Sequence, residues 1–221
     1  MAPFGASRAG LMSVSADEIP DSDLLQIHLD ATDSATLPDT TEWEDKSGNG
    51  FDLTGSYTEV ATDRINGLDA VYFDGTDDLM DVAFGSAEAQ PNYIYIVHEP
   101  KWGAASGETV FDADTADTAR LFENSNGNES MFAGETLEGN ATATQPQITE
   151  MVFDGSNSEI RRDDTDMATG DAGAADWDGV TLGARGDATN FCEVYIGEIL
   201  GYYEQPDRAS VYDYLSRWGT L

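Results

Sequence analysis

Cysteine is nearly absent from this chain of 221 residues, where Cys192 stands alone. One thiol forms no internal disulfide, which excludes a disulfide-stapled scaffold and a thiolate metal cluster. Cys192 lies in an apolar run and reads as a buried, inert side chain. Positive charge is scarce as well. Ten Lys and Arg face 43 Asp and Glu, a net charge of −33. A field of that sign repels phosphate backbones and anionic headgroups, so neither nucleic acid nor a membrane surface is an expected partner. Long apolar runs are missing too: no stretch approaches the roughly 18 residues of a membrane-spanning helix, and membrane insertion is not expected. The two histidines, His28 and His98, sit inside apolar strands, outside any metal-binding spacing, and read as core residues. Neither a nucleophile-elbow Gly-x-Ser-x-Gly nor a phosphate-cradling Gly-x-x-x-x-Gly-Lys loop occurs.

What is present supports a folded domain. Hydrophobic residues make up 40% of the chain and aromatics 10%, enough for a core and unlike a disordered acidic tail. Asp outnumbers Glu and only Lys46 and Lys101 are lysines, a pattern that suits molar salt. At about 1 M the Debye length falls to about 3 Å, which screens the self-repulsion of such a surface. The charge is also unevenly placed. Residues 1–16 contain no acid and a single base, Arg8. With Phe4, Leu11 and Met12 as its apolar residues, this segment reads as an arm over 1–19 that docks on a neighbouring subunit, or as an inconsequential terminus, ahead of one domain over 20–221.

Short apolar runs separated by turn residues predict an all-β domain. Strands are expected at 24–29, 70–73, 79–84, 93–97, 108–111, 148–153, 180–182 and 191–203, with turns at Ser47-Gly48-Asn49-Gly50, Asp74-Gly75, Ser125-Asn126-Gly127 and Asp154-Gly155. One helix closes the chain. Pro206 suits its first turn, Asp207 its positive end and Gly219 its C-terminal cap, while Val211, Tyr214, Leu215 and Trp218 form one apolar face expected to pack on the sandwich edge.

Several stretches then carry a resemblance. Leu29-Asp30-Ala31, Trp43-Glu44-Asp45-Lys46-Ser47-Gly48-Asn49-Gly50, and Val71-Tyr72-Phe73-Asp74-Gly75-Thr76-Asp77-Asp78-Leu79 resemble the opening strands of concanavalin A-like, laminin G-type modules. Thr181-Leu182-Gly183, Tyr195 to Tyr202 and the closing helix are similar to that family's final elements, and the segment 159–178 departs from its pattern. The resemblance implies a two-sheet antiparallel jelly-roll sandwich with a C-terminal helix and the extended N-terminal arm. It also bears on activity: the Glu-x-Asp-x-Glu strand of β-glucan-cutting relatives is missing, so no enzymatic activity is expected.

Candidate sites follow from residue chemistry. Trp102 and Trp177 in polar, Gly-rich surroundings, with Asn124, Asn126 and Asn128 on one loop, form the expected glycan-contacting rim. Asp112, Asp114 and Asp117 offer hard oxygen ligands and are the expected Ca²⁺ site, if one exists; Asp163, Asp164 and Asp166 form a similar cluster. In a chain so rich in Asp, such clusters also arise without an ion. Asn128-Glu129-Ser130 and Asn140-Ala141-Thr142 are glycosylation sequons. The expected role is a structural or adhesion protein on an extracellular assembly. The leading candidate is the particle surface of a tailed virus of salt-loving archaea, as a homo-oligomer (trimer or pentamer) bound to other virion proteins through the arm and presenting loops to host glycan. The alternative is a secreted halophilic carbohydrate-binding module or polysaccharide-active enzyme.

Overall fold

The computed structural model describes residues 18–103 and 107–219; the arm residues Phe4, Arg8, Leu11 and Met12 lie outside this range. In chain order the elements are β1 (Leu25–Asp30), β2 (Glu42–Trp43), β3 (Leu53–Ser56), β4 (Glu59–Ile65), β5 (Leu68–Asp74), β6 (Leu79–Glu88), β7 (Asn92–Pro100) and β8 (Thr109–Asp112). There follow β9 (Arg120–Glu123), β10 (Asn128–Phe132), β11 (Thr136–Ala141), β12 (Gln147–Phe153), β13 (Ser158–Arg162), β14 (Thr165–Gly170), β15 (Trp177–Leu182), β16 (Glu193–Tyr202) and α1 (Arg208–Leu215). The pairings between them are antiparallel and form two sheets. The first runs β14, β13, β12, β7, β16, β5, β4, with β1 also beside β16; the second runs β11, β10, β9, β8, β15, β6, β3, β2. The fold is therefore the expected all-β sandwich with one C-terminal helix.

Strand alternation explains how the layers meet. Ile27, Leu29, Ile94, Ile96, Met151 and Phe153 from the first sheet pack against Phe111, Leu121, Met131, Val180 and Leu182 from the second. Trp43 fills the same core, and the Ser47–Gly50 loop beside it is a turn held by Asp45, which accepts from the Ser47 and Phe51 amides and the Ser47 hydroxyl.

The first sheet is buried on both faces. Tyr93, Tyr95, Val97, Val152, Leu200 and Tyr202 point away from the sandwich interior and form a second cluster with Val211, Tyr212, Tyr214, Leu215 and Trp218. The helix therefore lies across the outer face of this sheet, and not at the sandwich edge as its apolar stripe alone suggested. The reason is area: an edge position would leave that row of aromatics in water. The helix also starts later than expected. Pro206 precedes the extended Asp207, and the first helical residue is Arg208; Gly219 closes the helical segment in the left-handed region at φ +66°.

Two fully buried glutamates pin this helix. Glu198 accepts from the Tyr214 hydroxyl (2.8 Å), the Trp218 indole (2.7 Å) and Arg217 (2.7 Å), and lies 3.1 Å from His28. Glu150 accepts from the Tyr95 and Tyr212 hydroxyls and from Arg208 at 2.7 Å; burial raises its carboxyl, and Arg208 opposes that. Gly197, at a register shift in β16, makes the arrangement possible, since a Cβ there would meet the Trp218 ring at 2.6 Å.

A third buried glutamate, Glu129, lies between the sheets. It accepts from Thr149, Gln147 and Arg162, and His98 Nε2 lies 2.9 Å from the Thr149 hydroxyl. Burial pushes the His98 imidazole down to about 4, against the pull of Glu129. A histidine whose pKa falls on folding contributes stability above its free value of about 6.5 and loses it as pH falls toward the folded value. Wild type should thus lose about 3 kcal/mol relative to a His98→Asn variant as pH drops from 6.5 through 4. Asp112 titrates in the same window with opposite sign, so the difference between the two proteins, followed by urea unfolding, is the informative quantity. A pH-independent difference would place the titrating group elsewhere.

Candidate functional site

The helix covers the first sheet; in the second sheet β8 and β9 are buried throughout, and exposure concentrates along β3 and β11. Leu121, Met131 and Leu137 belong to the interior, so their strand neighbours on β9, β10 and β11 point outward. Register then aligns Phe122 with Ser130, and Ser130 with Glu138, in one row across the three strands.

A cleft of about 360 Å³ opens over this row, lined by Gly107, Phe122, Asn124, Ser125, Asn126, Thr136 and Glu138. Three of the expected rim asparagines converge here, in different roles. Asn124 builds the turn: its Oδ1 accepts from the Asn126 amide at 2.8 Å and the Asn128 amide at 3.2 Å, and its Nδ2 donates to Ser130. Asn126 and Asn128 both donate to the Glu138 carboxylate, Asn126 at 3.2 and 3.3 Å. The sequon residue Asn128 is thus engaged, while Asn140 is exposed on β11. Arg120 stacks on Phe122 at 4.3 Å. Its guanidinium donates to Thr109, Asp117 and the Gly107 carbonyl, which braces the wall of the cleft.

Both tryptophans lie away from this cleft. Trp177 has no exposed surface and packs edge-on against Phe84 in the core, which corrects its placement on a glycan rim. The cause is a register shift between Trp177 and Gly179 that turns the indole inward. Trp102 is half-buried, leaning on the core from the segment after β7.

The acidic clusters are satisfied from within the chain. Asp112 is buried and accepts from the amides of Ala113, Asp117 and Gly186; burial nonetheless pushes it up to about 6. Asp117 pairs with Arg120 and Arg185. Asp114 lies near Asp81, whose carboxyl is raised by burial and by that neighbour. The arrangement corrects the expected Ca²⁺ site at Asp112, Asp114 and Asp117: Asp112 turns to backbone amides and Asp117 to two guanidiniums, so the three carboxylates do not converge as one ligand set. Likewise Arg161 takes Asp164 and Asp166 at the β13–β14 turn, whose residues Asp163 and Asp164 have φ of 47° and 57°. Elsewhere His28, Asp30 and Glu198 converge in the interior, but Arg217 bridges the two carboxylates and Lys46 holds Asp30. Burial opposes ionisation of Asp30, yet its bond from Thr32 and these two cations bring it down to about 2. Cys192 is buried, and burial raises its thiol well above the ordinary range.

No family model matches the sequence, and no curated protein matches it. Solved structures do share the fold. Trypanosoma rangeli sialidase, solved with sialic acid, superposes with a TM-score of 0.66 at 10% identity, over 88% of this chain and 33% of the sialidase. The binding domain of botulinum neurotoxin serotype D/C gives 0.66 at 11% identity, over 89% and 53%. Domain 4 of the extracellular arabinanase AbnA from Geobacillus stearothermophilus, solved with arabinotriose, gives 0.62 at 15% identity, over 86% of this chain and 97% of that domain. The chain thus spans about a third of the sialidases it resembles and nearly all of the arabinanase domain. At these identities the likeness defines a class, the two-sheet antiparallel β-sandwich. No helix among the described residues is long and apolar enough to cross a membrane.

Proposed function

We propose that this protein is a non-enzymatic glycan-binding module of the concanavalin A-like, laminin G-type kind, using a cleft at the β9–β11 end of its second sheet. The observation that carries the reading is the cleft itself: a carboxylate held by two amides beside the largely buried Phe122, prearranged by hydrogen bonds, in a volume suited to one or two sugar rings. The fold's occurrence in an arabinanase domain solved with arabinotriose supports it. Titration of an oligosaccharide panel, followed by amide chemical shifts, tests it. Shifts should concentrate on Phe122, Asn126, Thr136 and Glu138, and Asn126→Ala should weaken binding about fivefold, the loss of one modest hydrogen bond. Shifts confined to the opposite sheet would refute the assignment.

The charge pattern supports a second element. We place the module on an extracellular assembly in brine, such as the particle surface of a virus of salt-loving archaea, joined to its neighbours through the acid-free segment 1–16. Light scattering in concentrated KCl should report a closed homo-oligomer, a trimer or pentamer, for the full chain, and a monomer once residues 1–16 are deleted. A monomer in both cases would leave a free binding module.

A further inference from the structure

We propose that the cleft selects neutral, hydroxyl-rich oligosaccharides and rejects sugars bearing a carboxylate; this rests on the glycan-binding reading above. The argument is one of donor and acceptor supply. Glu138 is the charged side chain lining the cleft, and it is an exposed acceptor oriented by Asn126 and Asn128. Asn126 directs its Nδ2 at both Glu138 oxygens, while Asn128 and Asn124 each spend one of their two N–H donors, on Glu138 and on Ser130. Glu138 is an acceptor that a sugar hydroxyl can satisfy as a donor and a ligand carboxylate cannot.

No cation among the described residues is available to change that balance. Arg120, behind Gly107 and Phe122, directs Nε to Thr109, one terminal nitrogen to Asp117 and the other to the Gly107 carbonyl. Glu108 and Glu123 lie close enough together to raise the carboxyl of Glu123, after burial has done so. An anionic sugar would thus meet the Glu138 carboxylate without a compensating guanidinium, in the field of a chain of charge −33.

Calorimetry of the full chain in concentrated KCl decides the matter, with arabinotriose, lactose and cellobiose as neutral probes and 3′-sialyllactose and trigalacturonate as anionic ones. At least one neutral probe should bind, with the anionic probes at least about tenfold weaker. Glu138→Gln should cost the neutral ligand about tenfold, the loss of a hydrogen bond to a charged acceptor, and narrow the gap to the anionic probes while the melting temperature holds. Anionic probes binding as tightly as neutral ones, or an unchanged gap in Glu138→Gln, would overturn the selectivity and leave glycan binding standing. No binding of either series up to about 10 mM would overturn both.

Discussion

Trp218→Ala should destabilise the protein by about 4 kcal/mol and lower its melting temperature by roughly 10 °C, a large effect for a residue three positions from the chain end. Two losses combine. The indole has no exposed surface and rests directly on Gly197, so truncation opens a cavity that backbone on one side and helix on the other are poorly able to close. Its Nε1 also supplies one of the hydrogen bonds that make the fully buried Glu198 tolerable, and a buried carboxylate that loses a donor bears its desolvation cost. The two components can be separated. Trp218→Phe restores most of the packing without the N–H and should recover about half of the loss. A loss below about 1 kcal/mol in Trp218→Ala would mean that the helix is a dispensable cover.

Ionic strength should matter as much. All nine basic residues among those described take part in ion pairs, from Lys46 to Arg217; the tenth base, Arg8, lies outside them. Every cation already has a carboxylate, so the surplus acids must be screened by solvent ions. Lowering KCl from about 2 M to about 0.05 M lengthens the Debye screening from roughly 2 Å to over 10 Å, so that carboxylates on neighbouring strands repel one another. A melting temperature at least about 10 °C lower in dilute buffer is the expected result. The same melts on Trp218→Ala provide a control: its penalty arises from packing and a buried bond, and should change little with salt. A melting temperature indifferent to KCl would show that the acidic surface carries no salt requirement.

Much of the fold was legible because burial on one face writes alternation into a strand. β1, β5, β7, β12 and β16 were each anticipated within a few residues, and the double burial of β7 shows in its unbroken run from Tyr93 to Val97. The hairpins β10–β11 and β13–β14 were not, since Ser130, Gly139, Asp163 and Asp164 have poor strand propensity. The same distinction divides the site. Asn124, Asn126 and Asn128 alternate around one turn and could be found locally. Glu138 could not, because one carboxylate among 43 becomes special only through its cross-strand register with Ser130. Trp177 misled for a related reason: polar neighbours suggested exposure, and the register shift that buries it has no local signature. The apparent calcium cluster needed Arg185, 68 residues beyond Asp117, to reveal its own counter-charge.

The segment entering the domain also lies on the helix side of the molecule. Ile19 and Leu24 pack into the cluster beneath the helix, the Pro20 carbonyl accepts from Tyr202, and Asp21 accepts from the Asp207 amide. Both ends of the described chain therefore leave from the face opposite the cleft. Tethering several copies through either end to a common scaffold would aim every cleft outward, in parallel. With sugar binding as proposed, weak single-site affinities would then combine into avidity, set by the spacing of the copies and of the sugars they meet.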